Sequence, residues 1–193
     1  MQLEAAILEN AAVRLEPLAE AHREPLRAAC AADAEIWGAL YPYSMAGEHF
    51  DPRWRQLLAE VDRGAAIAFA VLVRGEVVGM TSFLGLDPVN AALEIGATYY
   101  RPEARGGAVN PAAKRLLLGH AFAAGARRVQ LKVDALNIRS RAAVLKLGAV
   151  QEGIMRQDRI TWTGRVRDTV YFSVLAAEWP TVREGLDARL AGF

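Results

Sequence analysis

The longest apolar run in the chain is the nine residues from Ala65 to Val73. Three residues later "VVGMTSFL" resumes it, with only Arg74-Gly75-Glu76 between. Two short apolar runs joined by a glycine turn predict two antiparallel strands in a hairpin. "ALEIGATYY" at 92 to 100 predicts a further strand, and "VRLEPLAEAHREPLRAAC" an earlier one at Val13 to Leu15, followed by a helix with apolar positions near Leu18, Leu26 and Ala29. The segment from Asp33 to Phe50 is rich in turns and aromatics. Asp51-Pro52 then predicts a helix start, with the acid as cap, and Gly64 its end. In the second half the pattern predicts a helix from Pro111 to about Ala124, a strand "RVQLKVD", and a helix from Ile138 to Leu147 closed by Gly148. Strands near Glu152 to Gln157 and Arg167 to Leu175 and a last helix in "EWPTVREGLDARLAGF" complete the order. Hairpins need antiparallel neighbours, whereas the strand-helix-strand crossover needs parallel ones. The order predicts an α/β fold with one mixed sheet of about six or seven strands and helices on both faces.

At 193 residues the chain fits a single domain, 1 to 193, with no repeat or linker to divide it. The longest apolar run falls far short of the roughly 20 residues that span a bilayer. Glu4 and Glu9 stand where an export signal would carry positive charge. The single cysteine, Cys30, forms no intrachain disulfide; a cytoplasmic protein is expected. Three scattered histidines, His22, His49 and His120, predict no metal site.

The net charge is +1, but its distribution is uneven. Residues 1 to 100 hold 7 Lys/Arg against 14 Asp/Glu, and residues 101 to 167 hold 14 against 4. A basic block within a folded pattern suits an anionic partner, either a phosphorylated cofactor or nucleic acid.

That block begins with "YYRPEARGGAVNPAAKRLLLGHAFAAG", a strand end, a turn and a helix. Asn110-Pro111 is a helix-start signal, with Asn110 as cap. Gly106 and Gly107 ahead of it let the backbone turn with positive φ and admit a close neighbour. Unpaired amides and the positive end of a helix dipole would then meet in one small volume, an anion site, with Arg105 and Lys114 adding charge at its edge. The dipole supplies only about 0.3 to 2 kcal/mol, which leaves most of the holding to the amides and the arginine. The alternative is an ordinary surface loop whose glycines satisfy a turn. Neither GxxxxGK[ST] nor GxGxxG occurs.

"LEIGATYYRPEARGGAVNPAAKRLLLGHAF" and "RRVQLKVDALNIRSRAAVLKLGAVQEGIMR" resemble the Gcn5-related N-acetyltransferase (GNAT) superfamily, in its ribosomal-protein branch, over nearly the whole chain. The resemblance implies that the turn Arg105, Gly106, Gly107, Ala108, Val109, Asn110 receives the diphosphate of acetyl-CoA. Ala108 and Asn110 depart from the family's R/Q-x-x-G-x-G/A. It further implies that Asn137 touches the pantetheine arm, that Ser140 stands near the thioester sulfur, and that a backbone amide among Gly96, Ala97 and Thr98 serves the oxyanion. Without it, Asn137 and Ser140 read as helix cap and first-turn residue.

Strand alternation puts Glu94, Gly96, Thr98 and Tyr100 on one face and Leu93, Ile95, Ala97 and Tyr99 on the other, unless a bulge changes the parity. Glu94 is the leading general base, through a water, or else a carboxylate paired with a nearby arginine. Asp158 is the reserve, although Arg159 occupies the matching family column. Trp37, Tyr41, Tyr43 and Trp54 fall where the family builds its acceptor pocket, or are satellite core. The expected reaction is acetyl transfer from acetyl-CoA to a primary amine, a protein N-terminus or small amine, by a homodimer. Two other readings are a silent acyl-CoA-binding module and a ribosome- or RNA-associated protein.

Overall fold

The computed structural model describes all residues 1 to 193. Eight strands, β1 (Leu8–Glu9), β2 (Arg14–Pro17), β3 (Ala66–Val73), β4 (Glu76–Asp87), β5 (Ala92–Tyr100), β6 (Arg128–Asp134), β7 (Val150–Ile160) and β8 (Val166–Leu175), form one sheet in the order β1-β2-β3-β4-β5-β6-β8-β7. The helices are α1 (Arg23–Ala31), α2 (Glu35–Leu40), α3 (Phe50–Asp62), α4 (Val109–Ala123), α5 (Ile138–Leu145) and α6 (Trp179–Leu190). The hairpin turn between β3 and β4 has positive φ at both Arg74 (51°) and Gly75 (84°), the twist that matches paired strands. The strand beyond the expected count is β1, too short to leave a pattern.

Alternation along β3 splits the core in two. Phe69 and Val71 face a core shared with Leu117 and Leu118 of α4, Val182 and Leu186 of α6, and Val129 and Phe172 of the sheet. Ala68, Ala70 and Leu72 face a second core with Leu26 and Cys30 of α1, Trp37 of α2, and Phe50, Trp54 and Leu57 of α3.

Two helix starts differ from the sequence reading. The first helical residue of α3 is Phe50 and that of α4 is Val109, one residue before Asp51 and Asn110 respectively, and neither helix has a side-chain cap. Proline at the third helical position costs no hydrogen bond, because the first-turn N–H groups have no intrahelical acceptor. Asp51 is thereby free to accept from Arg23 at 2.7 Å and Arg27 at 2.6 Å.

The feature that positions the site is the only parallel pair. β5 and β6 are bonded only from Ala92 to Glu94 against Arg128 to Gln130. Beyond that point the strands part, and crossover helix α4 returns the chain below the gap.

Candidate functional site

The parted strands open a cavity of about 790 Å³. Its walls include Glu94, Gly96 and Thr98 of β5, Leu131 and Val133 of β6, and Asn137 and Ser140 at the start of α5. Cationic side chains lining it outnumber acidic ones by seven to three, so it favours an anionic ligand.

At one end lies the glycine turn. Gly106 has φ +82°, and a side-chain carbon built on either Gly106 or Gly107 would meet nothing within 4 Å, so the loop surface is open. The amides of Gly106, Gly107, Ala108, Val109 and Asn110 donate to no backbone or side-chain acceptor. The Arg105 side chain beside them donates from Nε to the Tyr100 carbonyl at 2.7 Å and from Nη1 to Asp33 at 2.5 Å. It also stacks 5.4 Å over the Tyr99 ring, and its Nη2 is buried without a partner. Free amides and an orphaned guanidinium nitrogen fit a diphosphate, whose oxygens accept hydrogen bonds and carry charge. Of this turn, Arg105, Gly106 and Asn110 line the cavity. Ala108 instead lines a smaller hollow beside α6, and Val109 packs on the first core.

The middle of the cavity is shaped by a bulge in β5. Tyr99 pairs with Met80 and Gly96 with Ser82, so Ala97 and Thr98 together oppose the single residue Thr81. Ala97 takes φ +49°, which is uncommon for a residue with a side chain. The bulge changes the parity beyond it. Tyr99 enters the second core, whereas Tyr100 joins Leu93 and Ile95 in the first. Before the bulge the expected alternation holds. Glu94 and Gly96 share the cavity face, and a carbon on Gly96 would lie 2.6 Å from the Glu94 carboxylate. Glycine at 96 therefore makes room for that carboxylate, which Lys132 of β6 pairs at 2.8 Å. The partner is a lysine and not one of the arginines.

Lys114, expected at the edge of the glycine turn, stands one turn into α4 and is buried. Its amine donates to Thr98 Oγ1 at 2.7 Å. Burial pulls it down to about 7, since nothing nearby compensates the charged form. Asn137 caps α5, its Oδ1 accepting from the Ser140 amide at 2.9 Å, so the expected cap and the cavity wall are one residue. Asp158 does not line the cavity: its carboxylate accepts from Thr169 at 2.7 Å and Arg159 at 3.0 Å. Burial alone would raise Asp158, but those two donors hold it below the ordinary carboxylate value.

Of the four aromatics, Trp37 and Trp54 are buried in the second core, and Tyr41 and Tyr43 line the far end of the cavity with Arg53, Gln56 and Glu60. Tyr41 donates to the Thr98 carbonyl at 2.8 Å, and burial pushes its phenol well up. Asp33, Thr81 and Lys132, which hold Arg105, Thr98 and Glu94, carry no sequence signal of their own. No group of three or more His, Cys, Asp or Glu side chains is arranged to hold a metal, and no helix is long and apolar enough to cross a membrane.

A strand pair opened beside free loop amides, with a bulged strand edge between them, is the architecture of a transferase that uses an acyl-CoA. Residues 12–150 match the acetyltransferase (GNAT) domain, and the chain belongs to that family. It is an acyl-CoA-dependent acetyltransferase that acts on an amine, which displaces the readings as a silent binding module or an RNA-binding protein. A Bacillus subtilis (strain 168) protein, YdaF, named as a ribosomal N-acetyltransferase, is 34% identical over 129 residues, covering 66% of this chain and 68% of that one. The crystal structure of a GCN5-related N-acetyltransferase from Brucella melitensis is similar with TM-score 0.87 and 32% identity, over 97% of this chain and 86% of that one. Mycobacterium smegmatis RimJ, solved in complex with CoA-disulfide, shares the fold with TM-score 0.81 and 24% identity, over 97% and 93%.

Proposed function

We propose that the protein transfers the acetyl group of acetyl-CoA to the α-amine of a protein N-terminus, in the cytoplasm, and that a ribosomal protein is its acceptor. The observation that carries the donor half is the row of free amides from Gly106 to Asn110 beside the unpartnered Arg105 Nη2. In this reading those groups hold the diphosphate, Asn137 and Ser140 flank the arm and its sulfur, and a bulge amide among Gly96, Ala97 and Thr98 receives the oxyanion. Glu94, through a water, takes the proton from the attacking amine. Asp158 has no part in it.

The acceptor half rests on proton energetics. Neutralising a lysine-like amine at pH 7 costs about 4 to 5 kcal/mol, whereas an α-amine near 7.7 to 8.0 costs only about 1. A carboxylate acting through a water is adequate for the second task and poorly matched to the first. The likeness to YdaF supports the ribosomal acceptor. The test is incubation with acetyl-CoA and a library of peptides and small amines, with products read by mass. Acetylation at peptide N-termini is expected; products confined to lysine side chains overturn the acceptor assignment, and absence of heat with CoA in calorimetry overturns the donor site.

The same reading includes a homodimer. Edge strand β7 leaves its outer backbone unpaired and exposes Val150, Ile154, Met155 and Ile160, an edge suited to pairing with a second copy. Light scattering of the wild type and Ile154→Glu tests this: a dimer reduced to monomer is expected, and a wild-type monomer refutes it.

A further inference from the structure

Lys114 is the one buried side chain of the cavity wall whose charge has no carboxylate partner. Its Nζ reaches two hydroxyls, Thr98 Oγ1 at 2.7 Å and Thr81 Oγ1 at 3.4 Å, and these lie 2.8 Å from each other across the β4–β5 ladder. Thr98 Oγ1 in turn donates to the Gly96 carbonyl at 3.4 Å. From the opposite side Tyr41 donates to the Thr98 carbonyl. Gly96 and Thr98 flank Ala97, the residue at φ +49°. The bulge is therefore fastened on both sides, by a lysine on α4 and a tyrosine after α2.

A methionine would fill the same volume without the cost of burying an amine. A bulged strand with a strained non-glycine residue persists only when its surroundings over-determine it, and such strain gathers where geometry matters to chemistry. We propose that Lys114 is a positioning residue for acetyl transfer: it holds Thr98 so that the peptide groups of residues 96 to 98 face the thioester carbonyl oxygen. The inference rests on the reading of that bulge as the oxyanion donor. It takes Lys114 out of the diphosphate site, where its charge would act on binding.

The two roles separate kinetically. Losing an interaction that orients the oxyanion donor in the transition state lowers kcat, whereas losing a diphosphate contact raises the KM for acetyl-CoA. For Lys114→Met, kcat is expected to fall about 10- to 100-fold with the KM for acetyl-CoA within about twofold of wild type. Thr98→Val removes the acceptor hydroxyl and keeps the β-branched shape, and is expected to do the same. Because both cut one link, the double variant should be no slower than the worse single one. A kcat for Lys114→Met within about threefold of wild type, a KM that rises in step, or a multiplicative loss in the double variant overturns the proposal. If Lys114→Met fails to fold, as judged by thermal unfolding, Thr98→Val decides alone, and a wild-type kcat there overturns it. A wild-type protein inert with acetyl-CoA and the amine panel refutes the proposed function instead, so the two failures are distinguishable.

Discussion

Replacing Arg105 by methionine removes a group whose function can be worked out from what already holds it. Two of its three nitrogens are engaged, Nε by the Tyr100 carbonyl and Nη1 by Asp33, and the plane rests over Tyr99. These contacts fix the guanidinium before any ligand arrives, so little rotamer freedom is left to lose when Nη2 meets a phosphate oxygen. A hydrogen bond to a charged group contributes about 1.5 to 3 kcal/mol, which corresponds to about 10- to 150-fold in Kd. The substitution also strips Asp33 of its cation and leaves a partly buried carboxylate near the diphosphate, which drives the loss toward the upper figure. Calorimetry with CoA at fixed ionic strength measures it. The discriminating control is S-acetylpantetheine, a donor without diphosphate or nucleotide. With it, kcat/KM of Arg105→Met should stay within about threefold of wild type. An equal loss with both donors would mean that Arg105 supports the strand end through Tyr99 and Tyr100, and the diphosphate assignment would be wrong.

Gly106→Val forces a branched side chain to φ +82° and should cost about 1 to 2 kcal/mol, a fall in Tm of several degrees, whereas Gly107→Ala, free of that angle, should stay within about 0.5 kcal/mol; equal shifts in thermal unfolding would refute the contrast. Glu94→Gln should lower kcat by about a hundredfold or more and remove the acid limb of the pH–rate profile, and an unchanged profile rejects Glu94 as base. Lys114 titrates near 7 when folded and near its ordinary, higher value when unfolded, so between those values the unfolded chain binds the extra proton. Its contribution to stability therefore rises with pH from about 7 to about 10.4, and denaturant titrations should show the advantage of Lys114→Met over wild type shrinking across that window.

Local pattern carried the strands flanked by both cores and the tight hairpin, because burial on alternate sides writes itself into residues such as Phe69 and Val71 against Ala68 and Ala70. It did not carry the full length of β7, which runs to Ile160. As an edge strand open on both sides, that segment has no buried face to impose alternation, and polar Gln151, Arg156 and Asp158 sit among its apolar residues. The short α2 was hidden in the aromatic segment because six residues hold too few turns to show a period. Within the site, the glycine turn, Asn137 and Glu94, which all reach the cavity, were legible as residue types suited to the roles proposed for them. Their partners were not: Asp33 meets Arg105 across 72 positions and Tyr41 meets Thr98 across 57, and only the fold brings such pairs together.

The bulge in β5 links these levels. Had the strand kept strict alternation, Tyr99 would lie with Leu93 and Ile95 in the first core, and Tyr100 would face α1 and α3. The extra residue sends Tyr99 into the second core, where its hydroxyl donates to the Ala29 carbonyl at 2.9 Å and its ring stacks 4.6 Å from Trp37. Tyr100 turns toward α4, and its carbonyl holds Arg105. One irregular step thus anchors the strand end in both cores and aims the arginine, while it takes Ala97 and Thr98 out of the regular ladder. The burial of two tyrosines on opposite faces supplies the stabilisation that keeps Ala97 at its unfavourable angle.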